Sequence, residues 1–431
     1  MRPSIPNLAR VAGAAALALT ATACNDFLSV KNPTVIEATT VDPVRDAAML
    51  ANSALNSFYA AADNIAVYQA WFTGEGWLGD TFPTRNDIAK RQIDFANGTL
   101  SDEVFNPLAR AVAEGERTLE LLDGADGTGI PLNRARAAFA SAYGTQFMAE
   151  TFCQVVVSSS LENLGAPMTP TEGSAKAAER FQFVITSAQA AGNDVEAIRL
   201  LNAARVGLAR ARLFQGDFPG AIAAAQLVPD TARYIIPRVD DPSNRGPLGN
   251  TIFNFSRDRA SLVVPPYFRA LNDARVTSAL GGSTQYPLKS QGNDLDFYRQ
   301  TKYLDYGADM RLASGLEARY IVAEAQLVGQ SNPAAAIALI AERQAAGSTV
   351  DGDDFADASN PVLTELLDQR ARDFYLEAQH MGTWLRNGNA TPYVIRAGSD
   401  FYAEPGSTIG AAKCMPVPDD EALHNKNFPK P

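Results

Sequence analysis

The sequence predicts a mainly α-helical protein that is interrupted by one long insertion of loops and short strands. Alanine-rich amphipathic stretches with helix-capping residues occupy most of the chain, whereas residues 229–315 are rich in Pro, Gly and Asn. At 431 residues, 46% hydrophobic and 20% charged, the composition is that of a globular protein. The net charge of −11 argues against nucleic-acid binding, which requires clustered Lys and Arg.

The first helices are predicted from their capping residues. Asp42-Pro43 has the pattern of an N-cap followed by Pro at the first helical position, which predicts a helix over 42–62. Ser101–Val104 has the spacing of a capping box and opens a helix over 101–123, which Gly124 ends. Further helices are predicted over 131–152, 172–190 and 194–214.

A helix-turn-helix pattern follows. Leu208–Phe214 and the next helix are separated by the turn Gln215–Phe218, and small residues on both sides allow two antiparallel helices to approach closely. The pattern resembles one tetratricopeptide repeat. A second copy lies in Leu316–Gly347, with Pro333 as the first residue of its second helix. Because the copies are far apart in the sequence, we predict tetratricopeptide-like helix pairs that form a scaffold around the insertion at 229–315 rather than a tandem array.

Residues 1–23 have the three parts of an export signal. Two arginines precede the apolar stretch Val11–Thr20, which is too short to span a bilayer, and the small residues 21–23 lead to Cys24. Cys24 in this place resembles the lipobox of bacterial lipoproteins, in which the thiol is acylated and becomes the mature N-terminus. The alternative is a plain signal peptide cleaved near Ala23. Acylation would hold a single domain, residues 24–431, at a membrane surface by its lipid.

The other two cysteines are Cys153 and Cys414. A pair of cysteines in an exported protein predicts a disulfide, and the alternative is two isolated buried thiols.

Four motifs occur in order along nearly the whole chain. Asn25–Pro33 follows Cys24 directly, and Glu317–Ala325, Gln369–Gly388 and Pro416–Asn427 come later. Together they resemble the motifs of SusD/RagB-type lipoproteins. The third motif departs from the family pattern at Asp373, His380 and Trp384, and it lacks the usual Asp before Leu385.

The resemblance implies a helical fold with tetratricopeptide-like helix pairs and a loop-rich ligand region. It also implies a lipid-anchored, surface-exposed protein of the outer membrane. Such a protein captures nutrient, usually an oligosaccharide, for a TonB-dependent transporter of the SusC type and acts as a lid on it. No cofactor, metal or catalytic residue is expected.

Sugar-binding proteins stack aromatic rings on sugar faces and bond the hydroxyls with amides and carboxylates. The first candidate segment is 68–80, and Trp77 between two glycines is the residue most expected to be exposed. Its other candidate residues are Tyr68, Trp71 and Asp80, with Gln69 and Glu75 as further hydrogen-bonding partners. The alternative is that Trp71 and Phe72 pack beneath the helices. A second candidate surface in the insertion contains Tyr286, Asn293 and Tyr298, together with Phe297 and Tyr306, whereas Tyr303 is expected to be structural.

The remaining charged and titratable residues favour structure over chemistry. Arg370 and Glu377, seven residues apart, are predicted to share a helix face in an ion-pair network that also includes Arg372 and Arg386. Trp384 is expected to be buried. The acidic run Asp351–Asp357 lacks the spacing of a calcium-binding loop.

Three function classes remain open. The first is nutrient binding without chemistry, the second is a tetratricopeptide-type envelope scaffold, and the third is a surface glycosidase. The two histidines, His380 and His424, lie in different motifs, which argues against a histidine-dependent nucleophile. A glycosidase needs only two carboxylates, which this chain has in abundance.

Overall fold

A computed structural model describes residues 41–348 and 360–429. The chain divides into two units, Met1–Asp46 and Ala47–Pro431. Cys24, the motif Asn25–Pro33 and the acidic run Asp351–Asp357 lie outside the described residues. Within residues 41–46, the Asp42 carboxylate accepts hydrogen bonds from the N–H groups of Val44 and Arg45.

Helices dominate the described part of the second unit. They are α1 Ala47–Thr73, α2 Pro83–Ala89, α3 Asn106–Leu121, α4 Ile130–Thr151, α5 Pro170–Ala190, α6 Val195–Phe214, α7 Phe218–Ala225, α8 Arg245–Leu248, α9 Thr251–Ser256, α10 Pro266–Ala270, α11 Gly315–Gln330, α12 Ala334–Ala346, α13 Pro361–Asp373, α14 His380–Asn387 and α15 Asp419–His424. A π-helical turn, Leu100–Phe105, precedes α3, and a 3-10 turn, Gly388–Ala390, follows α14.

The strands are short and pair antiparallel. They are β1 Trp77–Leu78, β2 Arg233–Ile236, β3 Leu262–Val263, β4 Ser278–Leu280, β5 Tyr298–Gln300 and β6 Met310–Ser314. β1 pairs with β3, β2 with β6 and β4 with β5. All of them except β1 lie in the insertion at 229–315, so the predicted change from long helices to loops and short strands is confirmed.

The structure confirms most predicted helices and corrects two starts. The helices predicted over 131–152, 172–190 and 194–214 are α4, α5 and α6. The first helix begins at Ala47 rather than at Asp42 and continues beyond residue 62 to Thr73, because its alanine-rich buried face continues. Ser101 is not an N-cap. It lies inside the π-helical turn, where the Asn97 side chain accepts a hydrogen bond from the Leu100 N–H at 2.9 Å.

The two predicted tetratricopeptide-like pairs are α6–α7 and α11–α12. The turn after α6 needs Gly216, whose φ is +77°, and the Asp217 carboxylate caps α7 by accepting from the Gly220 N–H at 3.0 Å. Pro333 lies at the N-cap position, one residue before the first residue of α12. The pairs are neighbours in space, because a Cβ on Gly329 of α11 would lie 2.5 Å from the Phe218 ring of α7.

The predicted disulfide is present in the structure. Cys153, directly after α4, is bonded to Cys414. Backbone hydrogen bonds flank it on both sides: the Cys153 N–H donates to the Met415 carbonyl and the Met415 N–H donates to the Thr151 carbonyl, both at 2.8 Å. The C-terminal segment is therefore attached to the end of α4 by covalent and hydrogen bonds.

Within residues 41–348 and 360–429, no helix combines the length and the apolar character that crossing a membrane would require.

Candidate functional site

The fold brings the two candidate aromatic segments together. The segment after α1 runs into β1, where Trp77 and Leu78 face Val263 and Leu262 of β3. Immediately after β3, the Val264 N–H donates to the Tyr298 carbonyl at 2.7 Å. Residues that are far apart in the sequence therefore form one region around β3.

A close backbone contact holds the two segments in register. The Gly292 N–H donates to the Gly79 carbonyl at 2.9 Å. A Cβ on Gly79 would lie 2.3 Å from the Ser290 Cβ, and a Cβ on Gly292 would lie 2.4 Å from the Asp80 carbonyl carbon. Only glycine fits at both positions, so these glycines serve the contact between segments.

Trp77 is partly exposed, but it is not at an isolated loop tip. Its ring stacks on Tyr402, with centroids 4.3 Å apart and planes 3° from parallel, and it meets Tyr267 edge-on. The Tyr402 hydroxyl accepts a hydrogen bond from the Leu78 N–H at 2.6 Å. The position of Trp77 between two glycines predicts a loop tip with few core contacts, and this prediction is wrong because one face of the ring is covered.

Tyr286 and Tyr298 share a buried cluster with Trp77. All three pack against a small buried cluster that includes Val263 and Phe297, and all three remain partly exposed. The Arg269 guanidinium lies 3.7 Å from the Tyr298 ring centroid, and that of Arg299 lies 4.1 Å from the Tyr286 centroid. We call Trp77, Tyr286, Tyr298, Arg269 and Arg299 the aromatic surface.

Asn293 lies at the edge of this region. Its backbone is left-handed, with φ +66°, a conformation that Asn tolerates better than most residues. Its amide donates to the Asn86 Oδ1 at 3.2 Å. Asn293 is partly exposed and holds the loop against α2, so it remains a candidate for contact with a ligand.

Three other candidates of segment 68–80 are in the core. Tyr68, Trp71 and Asp80 are fully buried, and Trp71 lies edge-on to both Tyr68 and Phe255 at 5.0 Å. The Asp80 carboxylate is bonded to Arg85 at 2.8 Å. The alternative that Trp71 packs beneath the helices is therefore confirmed. Because these side chains already have protein partners, they offer no surface to a ligand in this conformation.

The other residues named with them are also buried. Gln69 donates to Thr151 Oγ1 at 2.8 Å, and Glu75 accepts from the Leu376 N–H at 3.0 Å. Phe297 and Tyr306 of the insertion are buried as well, and Tyr303 is buried as predicted.

Comparison with known proteins identifies the fold. No family model and no curated protein matches this chain. A SusD-like carbohydrate-binding protein from Bacteroides vulgatus is 15% identical, with a TM-score of 0.66, and the match covers 89% of this chain and 97% of that one. A SusD/RagB family protein from Bacteroides thetaiotaomicron is 13% identical, with a TM-score of 0.66 and coverage of 88% and 94%.

A third match is a SusD superfamily protein from Parabacteroides distasonis, 12% identical, with a TM-score of 0.66 and coverage of 90% and 99%. The likeness extends over nearly the whole of each chain. This chain has the SusD-like fold. The fold that the four sequence motifs implied is therefore confirmed.

The charged residues of the third motif form buried ion pairs in this SusD-like fold. Arg372 pairs with Asp368, and Arg386 pairs with Glu324 at 3.0 Å. Glu377 pairs with Lys302 and Arg311 at 2.5 and 2.8 Å. Removing one partner of such a pair would leave a buried charge without compensation. These pairs therefore fix the C-terminal segment.

The predicted shared helix face of Arg370 and Glu377 is wrong. α13 ends at Asp373, and Leu376 and Ala378 have positive φ angles of 57° and 54°. The chain therefore leaves the helical path between the two residues. Glu377 turns toward Lys302, whereas Arg370 donates to the Gln379 side chain at 2.9 Å.

A small internal cavity brings together Glu75, Arg370 and His380. Burial raises the pKa of Glu75 to about 8 and lowers that of His380 to about 4. Both groups are therefore neutral near pH 7. This arrangement was not evident from the sequence, because the three residues come from distant segments. Trp384, on the same helix as His380, is buried as predicted.

The structure also shows clefts that the sequence did not indicate. One of 390 Å³ is lined by Tyr59, Arg199, Arg233 and Ile235, among others. Another, of 370 Å³, lies where α7, α11 and α12 meet and is lined by residues such as Val322. Neither contains a residue of the aromatic surface. Such clefts depend on how helices pack and have no local sequence signal.

Proposed function

We propose that this SusD-like protein is a lipoprotein of the SusD/RagB family that is anchored through Cys24 at the cell surface. It would bind oligosaccharide and deliver it to a SusC-type TonB-dependent transporter in the outer membrane. The observation that carries the proposal is the convergence of two candidate segments into one partly exposed aromatic surface on a fold shared with a carbohydrate-binding protein.

The chemistry of the aromatic surface suits a sugar. Trp77 keeps one ring face free of the Tyr402 stack, and Asn293 supplies an amide nearby. An exposed face of an aromatic ring buries an apolar sugar face, while amides and guanidinium groups bond the hydroxyls. The surface needs no cofactor or metal for such binding.

A glycan array and affinity gel electrophoresis with the purified protein test this function. Retention of an oligosaccharide without product supports nutrient binding, and cleavage of the glycan would instead support the glycosidase. Surface proteolysis of intact cells and co-purification from detergent-solubilised outer membranes test the location and the transporter. A protein that stays protected from protease, or that purifies without an outer-membrane barrel, would contradict those parts of the proposal.

One observation favours a second function, the envelope scaffold. The two tetratricopeptide-like pairs pack together, and the 370 Å³ cleft lies between them. Such grooves bind protein segments in repeat proteins. A protein that binds no glycan but co-purifies with envelope proteins other than the transporter would support this function.

A further inference from the structure

Two arginines of the aromatic surface have no counter-charge. Among residues 41–348 and 360–429, no carboxylate pairs with Arg269 or Arg299, and neither guanidinium donates a hydrogen bond within that part of the protein. Arg269 Nε is buried without a partner. Each guanidinium instead lies on a tyrosine ring, and both side chains are partly exposed.

The chain has a net charge of −11, so its carboxylates outnumber its cationic side chains. Several arginines, such as Arg85, Arg210 and Arg238, are paired with carboxylates at 2.6–2.8 Å, whereas Arg233 has no such partner within residues 41–348 and 360–429. On the loop that carries Tyr286, Lys289 is already paired with Asp296 at 3.1 Å. The aromatic surface therefore keeps two cationic groups that the protein itself does not neutralise.

The arginines also reduce the area of each tyrosine ring on which a ligand could stack. A guanidinium 3.7 or 4.1 Å from a ring centroid covers one face of that ring. Each tyrosine also packs against the Val263–Phe297 cluster, so little ring face remains for stacking on a neutral sugar. Each arginine therefore presents a planar guanidinium that donates no hydrogen bond within the described residues. Such a fork binds a carboxylate or a sulfate by two parallel hydrogen bonds.

We infer that the ligand of the aromatic surface is an acidic oligosaccharide, with carboxylate or sulfate groups bound by Arg269 and Arg299. This inference rests on the proposed sugar-binding function. Trp77 would contact an apolar sugar face, and the two arginines would select for charge. The tyrosines hold the guanidinium groups in place by cation–π contact, which lowers the conformational entropy lost on binding.

Matched ligand pairs test the inference by calorimetry. One arm compares a short oligogalacturonate with its fully methyl-esterified form, which has the same sugars without the charge. The other arm compares a chondroitin sulfate oligosaccharide with its desulfated and carboxyl-reduced form. We expect the charged member of at least one pair to bind about tenfold or more tightly, with a preference that weakens as salt is raised. The arm that shows the preference distinguishes carboxylate from sulfate.

Variants locate the effect. R269Q and R299Q should each reduce the affinity for the charged ligand about tenfold and leave the affinity for its neutral partner nearly unchanged. R233Q is the matched control, since Arg233 is exposed, has no carboxylate partner in the described residues and lies outside the aromatic surface. Circular dichroism confirms that each variant is folded.

The outcomes separate the two proposals. Equal binding of charged and neutral members, unchanged binding in R269Q and R299Q, or a glycan array with neutral binders alone would overturn the inference while sugar binding stands. Absence of binding to every glycan on the array would overturn the inference together with the proposed function.

Discussion

At the scale of single residues, Trp77 packs one ring face on Tyr402 and is also the residue proposed to contact the sugar. Its neighbours Tyr267 and Tyr402 are joined by hydrogen bonds to the backbone of segment 74–78. Because Trp77 is part of this packing, its removal should lower stability whether or not it binds a ligand.

We expect Trp77→Ala to lower the free energy of unfolding by about 2 kcal/mol, because it loses the stack on Tyr402 and apolar burial. Ligand affinity of the folded fraction should fall by tenfold to a hundredfold. Denaturant unfolding and calorimetry measure the two effects. Trp77→Phe keeps a ring against Tyr402 and should recover most of the stability. Unchanged affinity in Trp77→Ala would exclude Trp77 from the site.

Trp384→Ala, a change at a buried tryptophan, should destabilise the protein by about 3 kcal/mol and leave affinity intact.

Glu75 gives stability a specific dependence on pH. Burial raises its pKa from 4.5 in the unfolded chain to about 8 in the folded protein. The contribution of this carboxyl group to the free energy of unfolding is fully present below pH 4.5 and is lost as pH rises through 8. The loss amounts to up to about 1.4 kcal/mol per pH unit. Glu75→Gln stays neutral at every pH. We therefore expect the free energy of unfolding of Glu75→Gln, relative to that of the wild type, to increase as the pH rises from 5 to 8. Urea unfolding at several pH values measures this difference.

His380, in the same cavity, is the control of opposite sign. Burial lowers its pKa from 6.5 to about 4, so its contribution is present above pH 6.5 and is lost as pH falls toward 4. His380→Gln should remove that loss at acid pH and leave the slope between pH 7 and 8 unchanged. If the free energies of unfolding of the wild type and of Glu75→Gln change in parallel between pH 5 and 8, Glu75 ionises normally.

At the scale of elements, the two helix pairs depend on a close contact between α7 and α11. Gly329→Ala places a Cβ 2.5 Å from the Phe218 ring, so the helices must separate. We expect a loss of about 1–2 kcal/mol, although Ala is the better helix former. Gly98→Ala, where the added Cβ meets no atom within 4 Å, is the control. Equal thermal stability of the two variants would show that α7 and α11 tolerate separation.

The disulfide joins the end of α4 to the segment before α15. It spans 261 residues of sequence, so its removal frees a long loop in the unfolded chain. We expect Cys153→Ala with Cys414→Ala to lower the free energy of unfolding by about 3–5 kcal/mol. Mass spectrometry of the unreduced, unfolded wild type after iodoacetamide provides the direct check. Alkylation of both thiols there would contradict the bridge.

At the scale of the whole molecule, the anchor is predicted to be the lipid on Cys24, which lies outside the described residues. Cys24→Ala should leave the folded domain intact and move the protein from the membrane fraction to the soluble one. Fractionation after a carbonate wash measures this, and unchanged circular dichroism is the control. A variant that remains with the membranes would show that the protein is held by something other than acylation.

The sequence by itself determined what depends on near neighbours in the chain. The alanine-rich helical stretches, the turn at Gly216 and the proline-rich composition of residues 229–315 are local features, so the mainly α fold with its insertion could be predicted. The pairing of Cys153 with Cys414 followed from count and compartment alone. Each of the four motifs is a short local pattern that can be recognised in the sequence, and their order along the chain indicated the SusD-like fold.

Only the tertiary structure decided which side chains are exposed and which segments meet. Trp71 and Trp77 are six residues apart and equally aromatic, yet one is in the core and the other borders solvent, because a helix ends between them. The aromatic surface needs β1, β3 and β5 to come together, and α7 meets α11 across the whole insertion. Such contacts depend on long-range packing, whose free energy is not encoded in any single stretch of sequence.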